Sequence, residues 1–224
     1  MTALIAFDVY GTLVDPAGMV VPLAKPFGAQ AVAAAQLWRE KQLEFTFRRA
    51  LMRRYVDFDV CTAQALSSVS AQLGVPLAED SRAALLAAYL RLPSFADVKA
   101  SLETLSRAGH RLVALSNGTG RAIRTLLSSA QIESYFADIH SADSVRTFKP
   151  DPAVYSLLQA EPGYADRCAW LVSANPFDVI GAKAAGLKAV WVRRDPARTF
   201  DPWEFQPDAV IGSLAELPAK LAAN

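Results

Sequence analysis

Short apolar runs recur along the chain and alternate with stretches that have the periodicity of amphipathic helices. The first run is Leu4–Phe7, which ends at Asp8 and a turn at Gly11. Apolar runs of this length are typical of parallel strands that are buried on both faces of a sheet. Similar runs follow at Arg111–Leu115, Cys168–Val172, Ala189–Val192 and Ala209–Ile211, with helical patterns between them at Ala100–Arg107, Arg121–Ala130, Ala153–Gln159 and Val179–Ala185. This alternation predicts an α/β fold with a doubly wound parallel sheet and a Rossmann-like core.

The region between the first run and the second interrupts this alternation, because it contains helical patterns and no convincing strand. The patterns cover Ala31–Tyr55, Val60–Leu73 and Glu79–Leu92. The longest has a stripe of large side chains at helical spacing: Leu37, Leu43, Phe47, Leu51 and Tyr55. We therefore expect an α/β core domain of residues 1–14 and 94–224 and an inserted all-helical cap domain of residues 15–93.

Composition and charge exclude several classes of function. Of 224 residues, 52% are hydrophobic and 20% are charged, which supports a substantial core and argues against disorder. The 23 basic and 22 acidic residues nearly cancel, so nothing indicates binding to nucleic acid or to an anionic membrane surface. A small anionic substrate remains compatible, because a pocket can be positive on a neutral protein.

The two cysteines and the N-terminal segment indicate a compartment. Cys61 and Cys168 lie far apart without the spacing of a metal site, which favours a reducing environment. The first apolar run has no basic leader and is interrupted by Asp8, so it resembles a buried strand more than a signal peptide. No run approaches the roughly 20 apolar residues that cross a bilayer. We expect a soluble cytoplasmic protein.

Polar side chains follow the predicted strands directly. Asp8 follows the first, Ser116-Asn117 the second and Ser173-Ala174-Asn175 the third, while Lys149 precedes a helical pattern between the last two and Asp178 lies near Asn175. In an open parallel sheet, binding sites form beyond the carboxyl ends of the strands. Any one of these segments could be an ordinary turn or a helix cap. Their convergence on one edge of the sheet predicts a catalytic site.

The same segments resemble the four motifs of the haloacid dehalogenase superfamily, in the correct order. The matching segments are Asp8–Leu13, Leu115–Gly118, Lys149-Pro150 and Ser173–Asp178. Within the expected cap, Leu37–Leu43 and Arg54–Phe58 resemble the L-2-haloacid dehalogenase subfamily, and Leu92–Phe95 resembles the return of the chain to the core in that subfamily. The resemblance covers essentially the whole chain. It implies hydrolysis of a small (S)-2-haloalkanoic acid to the (R)-2-hydroxy acid and halide.

Residue 10 decides between the branches of this superfamily. Members that transfer phosphoryl groups place a second aspartate two residues after the nucleophile, and commonly a pair of adjacent aspartates in the fourth motif. This chain has Tyr10 and the pair Phe177-Asp178. A tyrosine supplies neither a carboxylate proton at neutral pH nor a comparable hard anionic ligand, and a departing halide needs no proton. The alternatives are a magnesium-dependent phosphatase or phosphonate-type hydrolase that uses Asp8 and Asp178, and a non-catalytic binding domain.

The resemblance also implies catalytic roles. Asp8 is the nucleophile, and its carboxylate displaces the halide to leave an aspartyl ester. Lys149 keeps Asp8 ionised, and Thr12 supports the nucleophile. Asp178, positioned by Ser173 and Asn175, activates the water that hydrolyses the ester.

Substrate contacts are implied in the same way. Ser116 and the backbone amides of Val9 and Tyr10 bind the substrate carboxylate, while Arg39 and Asn117 receive the halide. Tyr155 lies toward the lysine and the substrate. Phe58 lines the pocket, and so does Phe177, which stands where the family usually has tryptophan. We expect no cofactor and no metal, a small 2-haloacid as the ligand, and a possible homodimer through the apolar faces of the cap.

Overall fold

A single parallel sheet forms the centre of the protein in the computed structural model, which describes residues 2–162, 164 and 169–222. Its strands within these residues are β1 (Leu4–Phe7), β2 (Arg111–Ser116), β3 (Asp138–Ser141), β4 (Ala169–Ser173), β5 (Lys188–Val192) and β6 (Ala209–Ile211). They lie in the order β3-β2-β1-β4-β5-β6, and every neighbouring pair is parallel. The chain runs to one side of β1 first and to the other side afterwards. The topological switch point therefore lies between β1 and β4.

Helices cover both faces of the sheet and form the region between β1 and β2. They are α1 (Val20–Phe27), α2 (Ala31–Leu51), α3 (Phe58–Gln72), α4 (Glu79–Tyr89), α5 (Val98–Arg107), α6 (Gly120–Ser129), α7 (Pro152–Ser156), α8 (Pro176–Ala184) and α9 (Leu217–Ala222). Alternate residues of β1 point to opposite faces. Ile5 and Phe7 pack in one apolar cluster with α5 and α6, whereas Leu4 and Ala6 pack in a second cluster with α7 and α8. No helix of the described residues is long and apolar enough to cross a membrane.

The predicted fold class is confirmed, with one strand more than the sequence pattern indicated. The sequence missed β3, an edge strand that pairs with β2 alone among the described strands and whose residues Asp138–Ser141 are all at least partly exposed. An edge strand buries little surface, so it does not need the apolar run that marks a central strand. The third predicted run begins at Cys168, which lies outside the described residues, and β4 is described from Ala169 onward.

The cap comprises α1 to α4, which follow β1 and precede α5. The two chain segments that connect it to the core pair with each other. The Asp15 N–H donates to the Pro93 carbonyl at 2.8 Å, and the Phe95 N–H donates to the Leu13 carbonyl at 3.1 Å. This pairing brings the beginning and the end of the inserted region side by side.

The buried face of α2 differs from the stripe that the sequence pattern suggested. Leu37, Leu43 and Phe47 are only partly buried, and Leu51 is 86% exposed. The buried residues are Ala31, Ala34, Trp38, Gln42 and Thr46. Two of these are polar, and each makes a hydrogen bond inside the cap, so burial of this face is possible without a continuous apolar stripe.

Candidate active site

The sequence-predicted catalytic residues converge beyond the carboxyl ends of three adjacent strands. Asp8 follows β1, Ser116 is the last residue of β2 and Ser173 is the last residue of β4. The Asp8 N–H donates to the Val172 carbonyl at 3.0 Å, which continues the pairing of β1 with β4 past the end of the strand. The site therefore lies at the topological switch point, where open α/β sheets bind their ligands.

Three donors from three parts of the chain hold the Asp8 carboxylate, which is 6% exposed. Its Oδ2 accepts hydrogen bonds from Thr12 Oγ1 at 2.7 Å and Asn175 Nδ2 at 2.8 Å. Its Oδ1 accepts from Lys149 Nζ at 3.2 Å. Charge-assisted bonds of this kind are stronger than neutral ones and fix the carboxylate in one orientation.

Lys149 bridges Asp8 to a second buried acid, Asp178. Its Nζ lies 2.8 Å from Asp178 Oδ2, and its backbone N–H donates to Asn117 Oδ1 at 2.8 Å. Burial favours the neutral amine, but the charges of Asp178 and Asp8 outweigh burial and hold the pKa of Lys149 above its ordinary value. Lys149 is therefore a fixed ammonium between two carboxylates.

Asp178 is more basic than an ordinary aspartate. Burial raises the pKa of Asp178; the charge of Lys149 opposes this rise and the charge of Asp8 adds to it. A hydrogen bond from the Ser173 side chain also favours its ionised form. A carboxylate with a raised pKa accepts a proton more readily, which suits a general base.

The Tyr155 hydroxyl contacts Asp178 and not Lys149. It lies 2.9 Å from Asp178 Oδ1 and 3.1 Å from the Asp178 carbonyl oxygen. Burial is the main cause that raises the pKa of Tyr155, so the phenol stays protonated and can donate. Gly181 makes room for it, because a Cβ at that position would lie 2.4 Å from the Tyr155 hydroxyl.

Asn175 has a different partner from the one expected. Its side chain donates to Asp8 Oδ2 and to the Tyr10 carbonyl at 3.1 Å, and so it holds the Asp8 carboxylate rather than Asp178. Its backbone N–H donates to Ser173 Oγ at 3.1 Å. Thr12 makes a second link between the first and fourth motifs, because its Oγ1 also accepts from the Ala174 N–H at 2.9 Å.

Tyr10 is an aromatic wall of the site. Its ring centroid lies 5.2 Å from that of Phe58 and 5.8 Å from that of Tyr89. Burial is again the main cause that raises the pKa of Tyr10, so the hydroxyl is neutral. A Cβ on Gly118 would come within 3.3 Å of the Tyr10 ring and hydroxyl, so the backbone at Gly118 packs closely against the Tyr10 side chain.

Arg39 reaches the site from α2 of the cap. One guanidinium nitrogen lies 3.4 Å from the Tyr10 carbonyl, the same oxygen that accepts from Asn175, and the other donates to Gln42 Oε1 at 2.8 Å. The guanidinium carbon is 5.9 Å from the Tyr10 ring centroid. Arg39 therefore shares the Tyr10 carbonyl as an acceptor with Asn175, which also donates to Asp8.

The remaining predicted residues lie at the ends of the strands or against the cap. Ser116 is buried, and its Oγ accepts from the Gly118 N–H at 3.2 Å. The Val9 carbonyl accepts from the Leu13 N–H at 2.9 Å, which fixes the turn after β1. Phe177 makes an edge-to-face contact with Phe47 of the cap, with centroids 5.2 Å apart.

Sequence reasoning missed Gln42, which binds Arg39 directly. The available signal was its position three residues after Arg39, which places both side chains on neighbouring parts of the helix surface. Gln42 also lies four residues after Trp38, which lies four residues after Ala34, and all three are buried. Apolar periodicity, however, does not predict the burial of a polar residue.

Comparison with known proteins agrees with this geometry. The chain belongs to the haloacid dehalogenase-like hydrolases, a family that matches residues 2–186. It is 36% identical to (S)-2-haloacid dehalogenase 2 of Pseudomonas sp. (strain CBS-3) over 96% of this chain and 93% of that protein. It is 38% identical to haloacetate dehalogenase H-2 of Moraxella sp. (strain B) over 92% of each.

A solved structure is similar over nearly the whole chain. It is that of the L-2-haloacid dehalogenase from Xanthobacter autotrophicus with chloropropionic acid covalently bound. The TM-score is 0.93 at 30% sequence identity, and the match covers 99% of each chain.

Proposed function

We propose that this protein hydrolyses small (S)-2-haloalkanoic acids to (R)-2-hydroxyalkanoic acids and halide through an ester on Asp8. The observation that carries the proposal is a carboxylate held by three donors beside a neutral, buried Tyr10. The names of the similar proteins support the substrate class. The covalently bound chloropropionic acid in the Xanthobacter protein supports a covalent route.

In the first half-reaction, an Asp8 oxygen attacks the carbon that bears the halogen. A carbon–oxygen bond forms as the carbon–halogen bond breaks, and the halide leaves with the bonding electron pair. The attack is in line, so the carbon inverts from S to R. Thr12, Asn175 and Lys149 hold the carboxylate in place for this attack.

In the second half-reaction, water attacks the carbonyl carbon of the Asp8 ester. Asp178 takes the water proton and returns it to the departing alkoxide, and the Asp8 carboxyl group then loses its own proton to solvent. Esterification removes the negative charge of Asp8. The ammonium of Lys149 then stabilises the negative charge of Asp178 and no longer that of Asp8. Tyr155 and Ser173 keep Asp178 oriented.

The substrate carboxylate and the halide are assigned to opposite ends of the pocket. Ser116 and the amides of Val9 and Tyr10 take the carboxylate, since they surround the ends of β1 and β2. Arg39 and Asn117 take the halide, where negative charge develops in the transition state. Phe58 and Phe177 enclose the alkyl group of the substrate. Only one enantiomer then presents the back of its carbon–halogen bond to Asp8.

Magnesium fits this donor set poorly, and we propose that the reaction uses no metal or other cofactor. The ammonium of Lys149 already lies 3.2 Å from Asp8 Oδ1 and 2.8 Å from Asp178 Oδ2. A divalent cation between these acids would have to share their charge with it. Tyr10 adds no anionic oxygen, because its phenol is neutral.

Two further parts of the proposal concern the organisation of the chain. The division into a core of residues 1–14 and 94–224 and a cap of residues 15–93 is supported by the pairing of Asp15 with Pro93.

A homodimer is supported by apolar side chains exposed on the cap, with Val21 80% and Val32 55% exposed. Sedimentation equilibrium tests it: a single species with the mass of one chain would rule it out.

The proposed function is tested by chloride release from each enantiomer of 2-chloropropionate, alongside an aryl phosphate with added magnesium. We expect chloride from the S form only and little phosphate release. Comparable rates for both enantiomers would contradict the assigned pocket, and strong magnesium-dependent phosphate release would favour the phosphatase alternative.

The covalent route has its own test, a single turnover with excess enzyme in oxygen-18 water. The oxygen of the first product comes from Asp8, so the hydroxy acid emerges unlabelled and the label enters the peptide that contains Asp8. Labelled product together with unlabelled Asp8 would mean that water attacks the substrate directly.

A further inference from the structure

Gln42 lies at the centre of a buried hydrogen-bond network in the cap. Its Oε1 accepts from Arg39 at 2.8 Å and from the Tyr89 hydroxyl at 2.9 Å. Its Nε2 donates to Thr62 Oγ1 at 2.6 Å, and the side chain is fully buried. A buried amide with all of these bonds holds one conformation, since losing any partner would leave a polar group without water.

The network also fixes which end of the amide faces Arg39. Thr62 has one hydroxyl proton, and it donates that proton to the Phe58 carbonyl at 2.9 Å. Toward Gln42 it can therefore only accept, which requires the NH₂ end of the amide on that side. The carbonyl end is then the one that meets the guanidinium of Arg39.

The acceptors around Arg39 are neutral. They include the Gln42 amide oxygen and the Tyr10 carbonyl, and the neutral Tyr89 hydroxyl also bonds Arg39. Among the described residues, no carboxylate oxygen lies within 4.0 Å of its guanidinium, in contrast to Lys149, which pairs with two acids. A neutral acceptor orients a cation without cancelling its charge.

We infer that Gln42 is a positioning residue that directs Arg39 toward the departing halide and leaves its positive charge uncompensated. The inference rests on the proposed function, because it takes Arg39 as the halide-stabilising group. It adds the reason why an amide, rather than the nearly isosteric carboxylate of glutamate, occupies residue 42.

The decisive variant is Gln42→Glu, which keeps an acceptor for Arg39 and Tyr89 but adds a compensating charge. The Thr62 hydroxyl can rotate to donate to the new carboxylate. We expect single-turnover release of chloride from 2-chloropropionate to slow by roughly 10- to 100-fold, less than the roughly 10²- to 10³-fold for complete loss of one electrostatic donor, because Arg39 itself remains. Bromide release from 2-bromopropionate should slow less, because the better leaving group needs less stabilisation. The bromide-to-chloride rate ratio therefore rises, and inhibition by added bromide weakens.

A matched control is Thr46→Val on the same buried face of α2. The Thr46 hydroxyl donates to the Leu43 carbonyl within its own helix. The variant tests loss of a buried polar group next to the network, and the bromide-to-chloride ratio should stay at the wild-type value. Should Gln42→Glu fail to fold, Thr62→Val takes its place, because it removes the acceptor that fixes the amide and should raise the same ratio.

The possible failures are distinct. Wild-type enzyme that releases no halide would overturn the proposed function. Active wild-type enzyme together with a folded Gln42→Glu variant of unchanged ratio and unchanged bromide inhibition would overturn the inference about Gln42 alone. In an Arg39→Lys background, Gln42→Glu should change the ratio little further, and a full additional effect would also contradict it.

Discussion

Removal of the Tyr155 hydroxyl should separate the two half-reactions. In Tyr155→Phe the ring remains, and Asp178 loses the donor that lies 2.9 Å from its Oδ1. A hydrogen bond to an ionised carboxylate favours the ionised form, so its loss raises the pKa of Asp178 further. Protonated Asp178 cannot accept the proton of the attacking water. As the pH is lowered, ester hydrolysis should then be lost at a higher pH than in the wild type. The rate of ester formation should change little.

The size of the effect follows from the strength of the lost bond. A hydrogen bond to a charged group contributes about 1.5–3 kcal/mol, and a tenfold change in proton affinity corresponds to about 1.4 kcal/mol. The acid limb of the pH profile for ester hydrolysis should move upward by about one to two pH units. Above that limb Asp178 is ionised in both proteins, and the rates should converge.

The assay is rapid quench under single-turnover conditions, with the ester on the Asp8 peptide followed by mass spectrometry across a pH series. The matched control is Tyr135→Phe, since Tyr135 lies near Gly109 and His110, away from the catalytic carboxylates. Its pH profile should equal that of the wild type. If Tyr155→Phe slows ester formation and leaves the hydrolysis limb in place, then Tyr155 serves the substrate and Asp178 is not the base.

Three further outcomes are expected. Exhaustive chelation should leave halide release unchanged, and activity lost in chelator but restored by magnesium would refute the metal-free mechanism. Arg39→Lys keeps the charge but loses the planar donor group, so ester formation should slow by roughly 10²-fold, and near wild-type rates in a folded variant would return Arg39 to a structural role. Gly181→Ala places a methyl group 2.4 Å from the Tyr155 hydroxyl and 2.6 Å from Pro150 Cβ, so the free energy of unfolding in urea should fall by about 1–3 kcal/mol. A Cβ on Gly120 meets nothing within 4 Å, so Gly120→Ala should not show this loss, and equal losses would refute the steric explanation.

The positions of the candidate catalytic residues could be predicted because each of them carries a signal in the sequence itself. Asp8, Ser116 and Ser173 each stand where an apolar strand ends, and parallel strands bring such positions to one edge. The order of residues along the chain does not determine which neighbouring group each side chain bonds at that edge. The sequence therefore predicts that Asn175 positions Asp178, whereas in the structure it bonds Asp8. The choice depends on distances across the sheet that only the folded chain defines.

The cap was harder to predict for a different physical reason. The face of α2 that meets the rest of the cap contains Gln42 and Thr46, whose burial depends on hydrogen bonds rather than on hydrophobicity. Hydrophobic periodicity reflects only the apolar surface of each side chain, and it therefore predicts burial of Leu51, which is 86% exposed. Polar groups inside a protein are recognised from their partners, and Thr62 lies twenty residues further along the chain.

The two cations of the site are held in opposite ways, and the difference follows from the charge of the substrate. Asp8, Asp178 and the ammonium of Lys149 together carry one net negative charge, which repels an anionic haloacid. Arg39 offsets that charge only if it is not itself paired with an acid, and the groups that bond it are neutral: an amide, a backbone carbonyl and a phenol. Lys149 holds the Asp8 carboxylate from within the core, where two acids neutralise its own charge. Arg39 enters from the cap with its charge intact, so the cap supplies the electrostatic attraction that the core lacks.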